Sequence, residues 1–183
     1  MATPSTHFNY TDVSLIKDGE GFEGEVLHMG PLTIRVLEDG RNTDNRIGSM
    51  ILTIKGGSKG PPIHWHRMHD ETFFVTKGRL RFTVIPADDA KTGSKETKDI
   101  DTKAGDYVIV PTKSIHTFSN PFEEEAEFFN TFTPAYYVDY LRMLAKAVNA
   151  AQNKTGKPLT EAEQRDVMAQ FATFSPGDVG VEL

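Results

Sequence analysis

One short stretch of the sequence decides the fold: Gly60-Pro61-Pro62-Ile63-His64-Trp65-His66-Arg67-Met68-His69-Asp70-Glu71. Side chains two apart on a β-strand point to the same face, so His64 and His66 project together and Trp65 lies on the other side. Glu71 follows His66 by five residues, which leaves room for a bend before a neighbouring antiparallel strand. Imidazole nitrogens together with a carboxylate oxygen suit a divalent first-row metal. The stretch therefore predicts a metal site between two strands.

A second stretch supplies a further candidate ligand. Gly105-Asp106-Tyr107-Val108-Ile109-Val110-Pro111 has the form of a turn, a buried strand and a proline stop. His116 follows Pro111 by five residues, and Asn120 follows His116 by four. Because this stretch is distant from His64 in the sequence, His116 can reach the same metal only if the sheet closes on itself.

The region from residue 21 to residue 133 has the pattern of many short strands. Apolar and polar residues alternate from Met50 to Ile54 and from Arg79 to Val84, and turn signals such as Lys77-Gly78 separate the apolar runs. Many short strands at close spacing are typical of an antiparallel sandwich or barrel. The polar stretch from Ala87 to Lys103 has little periodicity and predicts a long surface loop.

The last part of the chain changes to a helical pattern. Apolar residues recur at helical spacing between residues 136 and 150, namely Tyr137, Leu141, Leu144 and Val148. Gly156-Lys157-Pro158 interrupts this pattern, and Thr160 with Glu163 three residues later is a capping-box signature for a second helix, from about Glu161 to Ala172. We expect both helices to pack on the outer face of the β-structure and to leave the metal ligands untouched. A lid over the ligands is the alternative.

The composition excludes several classes of protein. The chain has 183 residues, a mass of 20.4 kDa and a formal net charge of −6, which fits one globular domain with an appendage and disfavours nucleic-acid binding. Disulfides, thiolate nucleophiles and iron–sulfur clusters are excluded because the sequence has no cysteine. No apolar run is long enough to span a membrane, and Met1–His7 has no signal-peptide pattern. We therefore expect a cytoplasmic protein with neither a nucleic-acid nor a membrane partner.

The two ligand-bearing stretches together resemble the two motifs of the cupin superfamily. The first family motif has His-x-His, a glutamate after a short gap and a later glycine; the matching residues are His64, His66, Glu71 and Gly78. The second has a glycine, a proline, a further glycine, a histidine and an asparagine; the matching residues are Gly105, Pro111, His116 and Asn120. Two glycines of the family pattern are replaced, by Ser58 and by Lys113. Neither replacement touches a ligand position.

The resemblance implies both a fold and a ligand set. The implied fold has an all-β core, a double-stranded β-helix or jelly-roll barrel over residues 21–134, with an N-terminal arm over 1–20 and a C-terminal helical extension over 135–183. The two C-terminal α-helices are similar to those of quercetinase-like single-domain cupins. The implied metal ligands are His64, His66, Glu71 and His116. The metal is a divalent transition ion such as Fe, Mn, Ni, Cu, Co or Zn.

Several other residues have plainer interpretations. His69 lies outside the family pattern, and we expect an exposed imidazole in the bend between two strands; a role in substrate binding or as a proton shuttle is the alternative. Tyr136, Tyr137 and Tyr140 are expected to be helix-packing residues. We also expect a homodimer, because an exposed strand edge is a liability that single-domain cupins often bury against a second copy.

Three hypotheses for the function remain open. The first is a metal-dependent oxidoreductase, a dioxygenase acting on a small aromatic or polyketide-like substrate of secondary metabolism, with Glu71 as both ligand and catalytic proton acceptor. The second is a non-oxidative isomerase, lyase, decarboxylase or cyclase in which the metal stabilises an enolate. The third is a cupin that binds a small molecule without turning it over.

Overall fold

The computed structural model describes residues 12–178. The strands are β1 Val26–Met29, β2 Leu32–Glu38, β3 Gly48–Ile54, β4 Ser58–Lys59, β5 Trp65–His66, β6 Asp70–Lys77, β7 Arg79–Ile85, β8 Lys98–Lys103, β9 Tyr107–Val110, β10 Ile115–Asn120, β11 Ala126–Thr133 and β12 Thr173–Phe174. The helices are α1 Ala87–Lys91, α2 Tyr137–Thr155 and α3 Glu161–Gln170, with short 3₁₀ turns at Phe22–Gly24 and Pro176–Asp178. The segment Met1–His7, for which we predicted no signal peptide, lies outside the described residues.

The strands form two antiparallel sheets that face each other. The larger sheet has the order β1-β2-β3-β11-β6-β9, and the smaller has the order β4-β10-β7-β8. A third, two-stranded sheet joins β12 to β5. Within the larger sheet, the long strand β11 lies between β3 and β6, so strands distant in the sequence become neighbours. This arrangement is the predicted jelly-roll core.

The core lies between the inner faces of the two large sheets. In β11 the buried residues alternate with partly exposed ones, as the pleat of a half-buried strand requires. Its Phe128 packs with Phe73 of β6 and Phe118 of β10, with ring centroids 5.8 and 5.1 Å apart. Phe82 of β7 lies 5.1 Å from Phe73. These aromatic contacts belong to the core and join strands of both sheets.

Most predicted strands are confirmed, but the predicted loop from Ala87 to Lys103 is wrong. That segment contains the short helix α1 and the strand β8, which pairs with β7 at the edge of the smaller sheet. The side chains of β8 are exposed except for Thr102, so the strand has no apolar alternation to reveal it. Ion pairs stabilise it instead: Asp101 accepts hydrogen bonds from Arg81 at 2.6 and 3.0 Å.

The two predicted C-terminal helices are confirmed. Thr160 caps α3 with the predicted capping box, because its hydroxyl accepts from the Glu163 backbone and the Glu163 carboxylate accepts from the Thr160 backbone. Helix α2 ends at Gly156, whose φ of 67° is the left-handed conformation that favours glycine. Within residues 12–178, no helix is sufficiently long and apolar to cross a membrane.

Helix α2 packs across the open end of the barrel. Its buried residues include Tyr137, Leu141 and Leu144, and burying each such side chain contributes about 1.5–3 kcal/mol. Arg142 fastens the helix to the barrel by donating to both carboxylate oxygens of Glu25 at 2.8 and 2.6 Å. It also donates to Asp39 at 2.7 Å. Helix α2 is therefore attached to the barrel both by its buried apolar side chains and by the ion pairs of Arg142.

Candidate metal centre

Two short strand segments bring three histidines together. His64 and His116 form an antiparallel bridge, in which each backbone N–H donates to the other residue's carbonyl, at 2.9 and 2.8 Å. His66 lies in β5, two residues after His64, so both imidazoles project to the same face as predicted. The centroid distances are 4.7 Å for His64–His66, 4.6 Å for His64–His116 and 5.4 Å for His66–His116. The ring nitrogens of these three residues lie close enough to share one metal ion.

Glu71 completes the set of four predicted ligands. It is the second residue of β6 and pairs with Phe132 of β11 and Val110 of β9, so its place is fixed by strands on both sides. Its carboxylate oxygens lie 3.7 Å from His66 Nε2 and 3.5 Å from His116 Nε2. All four predicted residues are buried and lie at one site.

The Nδ1 atom of each of the three histidines already has a hydrogen-bond partner. His64 Nδ1 lies 2.7 Å from the Pro62 carbonyl, and His116 Nδ1 lies 3.0 Å from the Ser114 carbonyl. A carbonyl can only accept, so these two nitrogens carry the proton. His66 Nδ1 lies 3.0 Å from the Thr173 hydroxyl. The Nε2 atoms are left as the ligand atoms, which is the arrangement typical of metal-binding histidines.

The electrostatics of the site favour neutral imidazoles beside an ionised carboxylate. Burial and the neighbouring His116 lower the pKa of His64 to about 3. Burial also lowers the pKa of His66 well below its usual value. Burial alone would raise the pKa of Glu71, but the adjacent imidazoles, His66 foremost, hold it well below its usual value. Metal ligands must be deprotonated to bind, and the lowered pKa values of His64 and His66 favour the neutral imidazoles that a metal requires.

His69 lies beside the predicted ligands rather than in the exposed position that the sequence predicts. We predicted an exposed imidazole in a bend, and this is wrong, because His69 is buried. Its ring packs on His66 at 4.0 Å and on Tyr137 at 4.4 Å, and its Nε2 lies 3.4 Å from Glu71. Its neighbours His66 and Tyr137 belong to strand β5 and to helix α2, so no local sequence signal could have revealed its burial.

Residues of the second motif shape the site without binding at it. Lys113 replaces the family glycine, yet keeps the left-handed backbone with φ 69° and donates its N–H to the His66 carbonyl at 2.7 Å. Asn120 is buried and donates to the carbonyls of Ile54 and Glu124. Both residues therefore fix loops and strands around the ligands.

A cavity of about 360 Å³ lies beside the four ligands. His64, Glu71 and His116 form one part of its wall. The rest is mostly apolar and comes from both the barrel and the C-terminal helices; it includes Leu52, Phe73, Tyr137, Tyr140, Leu141, Leu144 and Leu159. The prediction that the helices leave the ligands untouched is therefore wrong. Helix α2 covers the open end of the barrel, and Tyr137 contacts His66 with a centroid distance of 4.8 Å.

The donor atoms fit a divalent metal. His66 Nε2 and His69 Nε2 are buried and have no hydrogen-bond partner among residues 12–178, an arrangement that costs free energy unless something else binds them. Two overlapping clusters could hold an ion, one of His64, His66 and His116 and the other of His66, His69 and Glu71. Nitrogen with carboxylate oxygen is a donor set that several first-row metals accept.

Comparison with known families identifies the barrel. Residues 50–132 match the family model described as a cupin domain. The barrel is therefore a cupin domain, and the prediction made from its two motifs is confirmed. The likeness to quercetinase-like cupins in particular stays a prediction. The comparison with curated protein sequences gave no match.

Solved structures with a similar fold include several enzymes. Oxalate decarboxylase from Bacillus subtilis has a TM-score of 0.51 and 20% identity, over 84% of this chain and 39% of the other. A sugar phosphate isomerase of the cupin superfamily from Silicibacter pomeroyi has a TM-score of 0.46 and 21% identity, over 57% and 60%. An RmlC-like cupin from Shewanella frigidimarina has a TM-score of 0.48 and 20% identity, over 65% of this chain and 93% of the other. The chain spans 39% of the length of the decarboxylase and 60% of the isomerase, and the likeness concerns the fold alone.

Proposed function

We propose that this protein is a metal-dependent enzyme that acts on a small, largely apolar molecule bound between the barrel and helix α2. The observation that carries the proposal is the position of the ligand atoms. Two imidazoles, those of His64 and His116, and the Glu71 carboxylate lie at one wall of an otherwise mostly apolar cavity, and the His66 imidazole lies beside them. A buried, concave, mostly apolar site with a few convergent polar groups is the usual form of a small-molecule active site.

The reaction class we propose is oxidation by dioxygen. A bound divalent metal would act as a Lewis acid and lower the pKa of a substrate hydroxyl. His64, His66, Glu71 and His116 would hold that metal. Glu71 forms part of the cavity wall, so its carboxylate is also placed to accept the proton that the substrate hydroxyl releases.

The cavity supports an aromatic or polyketide-like substrate. Phe73, Tyr137 and Tyr140 give it flat aromatic walls, and Leu141 and Leu144 give it an aliphatic floor along α2. Burial raises the pKa of Tyr137 well above its usual value, so its phenol stays neutral. Such walls favour a planar molecule with few charges, because a charged substrate would lose its hydration without a partner.

A non-oxidative proton transfer, as in an isomerase, lyase, decarboxylase or cyclase, is the second candidate. His69 favours it, because it places a further imidazole 3.4 Å from Glu71. Glu71 at the cavity wall and His69 behind it are then two adjacent groups that can carry a proton. An enolate formed from the substrate would be stabilised by the metal while a proton moves between carbon atoms.

The test is a set of assays on protein stripped with a chelator and reloaded with Fe, Mn, Ni, Cu, Co or Zn in turn. Oxygen uptake and product masses would be recorded with a panel of flavonols and polyphenols. We expect uptake with redox-active metals, loss of turnover in Glu71→Gln, and no effect of Glu123→Gln, which alters an exposed carboxylate. Turnover supported by zinc would favour the non-oxidative candidate. Absence of any uptake or product by fully metallated protein would contradict both.

A further inference from the structure

The C-terminal strand β12 reaches back to the ligand strand β5. Thr173 pairs with His66, and Phe174 pairs with Trp65. The neighbouring Arg67 N–H donates to the Ala172 carbonyl at 3.0 Å, which extends the pairing by one residue. Strand β12 itself lies outside residues 50–132, the part that matches the cupin model.

The side chain of Thr173 contacts a ligand directly. Thr173 is 1% exposed, and its hydroxyl oxygen lies 3.0 Å from His66 Nδ1. The same hydroxyl donates to the Phe171 carbonyl at 3.4 Å. A hydroxyl has one proton to donate, so the oxygen is left to accept the Nδ1–H of His66. His66 is thereby held as the tautomer whose Nε2 has a free lone pair, and that Nε2 lies 3.7 Å from the Glu71 carboxylate.

His66 differs in this respect from the other two histidines. The partners of His64 and His116 are carbonyls two residues away in the same segment, so their orientation is set locally. The partner of His66 is 107 residues away. A ligand of the proposed metal site therefore depends on a segment that the barrel does not contain.

The docking of this segment has its own contacts. Phe174 packs on Trp65 with ring centroids 4.9 Å apart, and the guanidinium of Arg67 lies 5.2 Å from the Phe174 ring. Trp65 points away from the ligands, so these contacts hold β12 from the far side of β5. The strand is thus fixed by packing on one face and presents the Thr173 hydroxyl on the other.

We propose that Thr173 is a positioning residue of the metal centre, and that strand β12 completes the site by orienting His66. This inference rests on the proposed function, because it assumes that His66 binds metal. Loss of a group that orients a metal ligand typically costs about 10–100-fold in metal affinity. We expect a loss of that size when the hydroxyl is removed.

The experiment compares Thr173→Val, which keeps the shape and loses the hydroxyl, with Thr173→Ser, which keeps the hydroxyl. Thr102→Val is the matched control, because Thr102 is also buried and donates to a carbonyl, Leu80, but lies in the edge strand β8. Dissociation constants for Zn²⁺ and Mn²⁺ would be measured by calorimetry, with the electron paramagnetic resonance spectrum of bound Mn²⁺ as a second readout. We expect Thr173→Val to weaken binding and change the spectrum, and the other two variants to resemble the wild type.

The tautomer of His66 gives a test that needs no variant to fold. Nitrogen-15 shifts of the imidazoles in metal-free wild-type protein should show the proton of His66 on Nδ1. A proton on Nε2, or equal metal affinity in Thr173→Val and the wild type, would overturn the role of Thr173 and leave the proposed function standing. A wild type that binds neither metal would instead contradict the proposed function.

Discussion

At the scale of single residues, replacing the predicted ligand His116 should weaken metal binding without unfolding the protein. The imidazole of His116 lies at the wall of the cavity, where His116→Ala leaves space that water can enter. We therefore expect metal occupancy to fall sharply while the free energy of unfolding of the metal-free protein changes little. Metal analysis and denaturant titration of the same samples would check both.

Phe118 is the matched control two residues further along β10. It is buried in the aromatic cluster, so Phe118→Ala should cost about 3–5 kcal/mol of stability. If His116→Ala destabilised the metal-free protein as much as Phe118→Ala does, His116 would be a packing residue.

Lys113 offers a substitution that should stabilise the protein. Its φ of 69° costs a non-glycine residue roughly 1–2 kcal/mol, while glycine adds only about 0.5–1 kcal/mol of backbone entropy to the unfolded chain. Lys113→Gly should therefore raise the free energy of unfolding by up to about 1 kcal/mol. Denaturant titration would measure it. The control, Lys103→Gly in the strand β8, should lower stability, and a decrease for Lys113→Gly as well would refute the argument.

The sequence was sufficient to place the four predicted ligands at one site, because their spacing follows from strand geometry and from two family motifs. It was insufficient for His69, Tyr137 and Thr173. Each of these either lies in the C-terminal extension or contacts it, and the way that extension docks on the barrel has no local signature in the sequence.

At the scale of elements, the attachment of helix α2 should make stability depend on pH. Asp39 accepts from Arg142 of α2 and from Arg41. Burial alone would raise the pKa of Asp39, but the hydrogen bonds from these two arginines lower it by more. The pKa of Asp39 therefore lies below its usual value of 3.8. A carboxyl with a lowered pKa in the folded state stabilises the protein above its unfolded pKa and loses that contribution as the pH falls through the folded pKa.

Asp39→Asn should therefore lose about 1–3 kcal/mol of stability near pH 7, the usual contribution of hydrogen bonds to a charged group. The difference from the wild type should shrink as the pH falls below about 4. Denaturant titrations at several pH values would measure both. Asp12→Asn, at an exposed position, serves as the control. A pH-independent difference would mean that shape rather than charge holds the helix.

Elements with a buried face were predictable, and those without one were not. Strands β3 and β7 and helices α2 and α3 carry periodic apolar residues or a cap, and each was found where predicted. Strand β8 is exposed and charged, and β12 has only two residues. Their pairing is set by partners elsewhere in the chain, so periodicity could not reveal it.

At the scale of the whole molecule, the homodimer stays a prediction, and the outer face of the larger sheet is where we expect it. One row of directly paired residues crosses β3, β11, β6 and β9, and all four are apolar: Ile51, Phe129, Phe74 and Tyr107. Phe74 is 40% exposed and Tyr107 is 57% exposed. A two-fold axis would bring this row against its copy, because the interface of such a dimer is self-complementary.

Light scattering after gel filtration at micromolar concentration should give twice the mass of the chain. Tyr107→Lys combined with Ile109→Lys should reduce it to the monomer mass, because two desolvated charges at the axis repel their copies. Ile100→Lys, at a partly exposed residue of the other sheet, should leave the mass unchanged. A monomeric wild type would contradict the prediction.

The contact between His66 and Thr173 also has a kinetic consequence. The two residues are 107 positions apart in the sequence. Contacts of such long range form late, because bringing the ends of a long segment together costs chain entropy. The hairpin of β1 and β2 is local and can form early. During refolding, recovery of the strand signal should thus precede the capacity to capture a metal ion. A metal ion added before strand β12 docks would encounter a site in which the His66 ring is not yet held in its binding orientation.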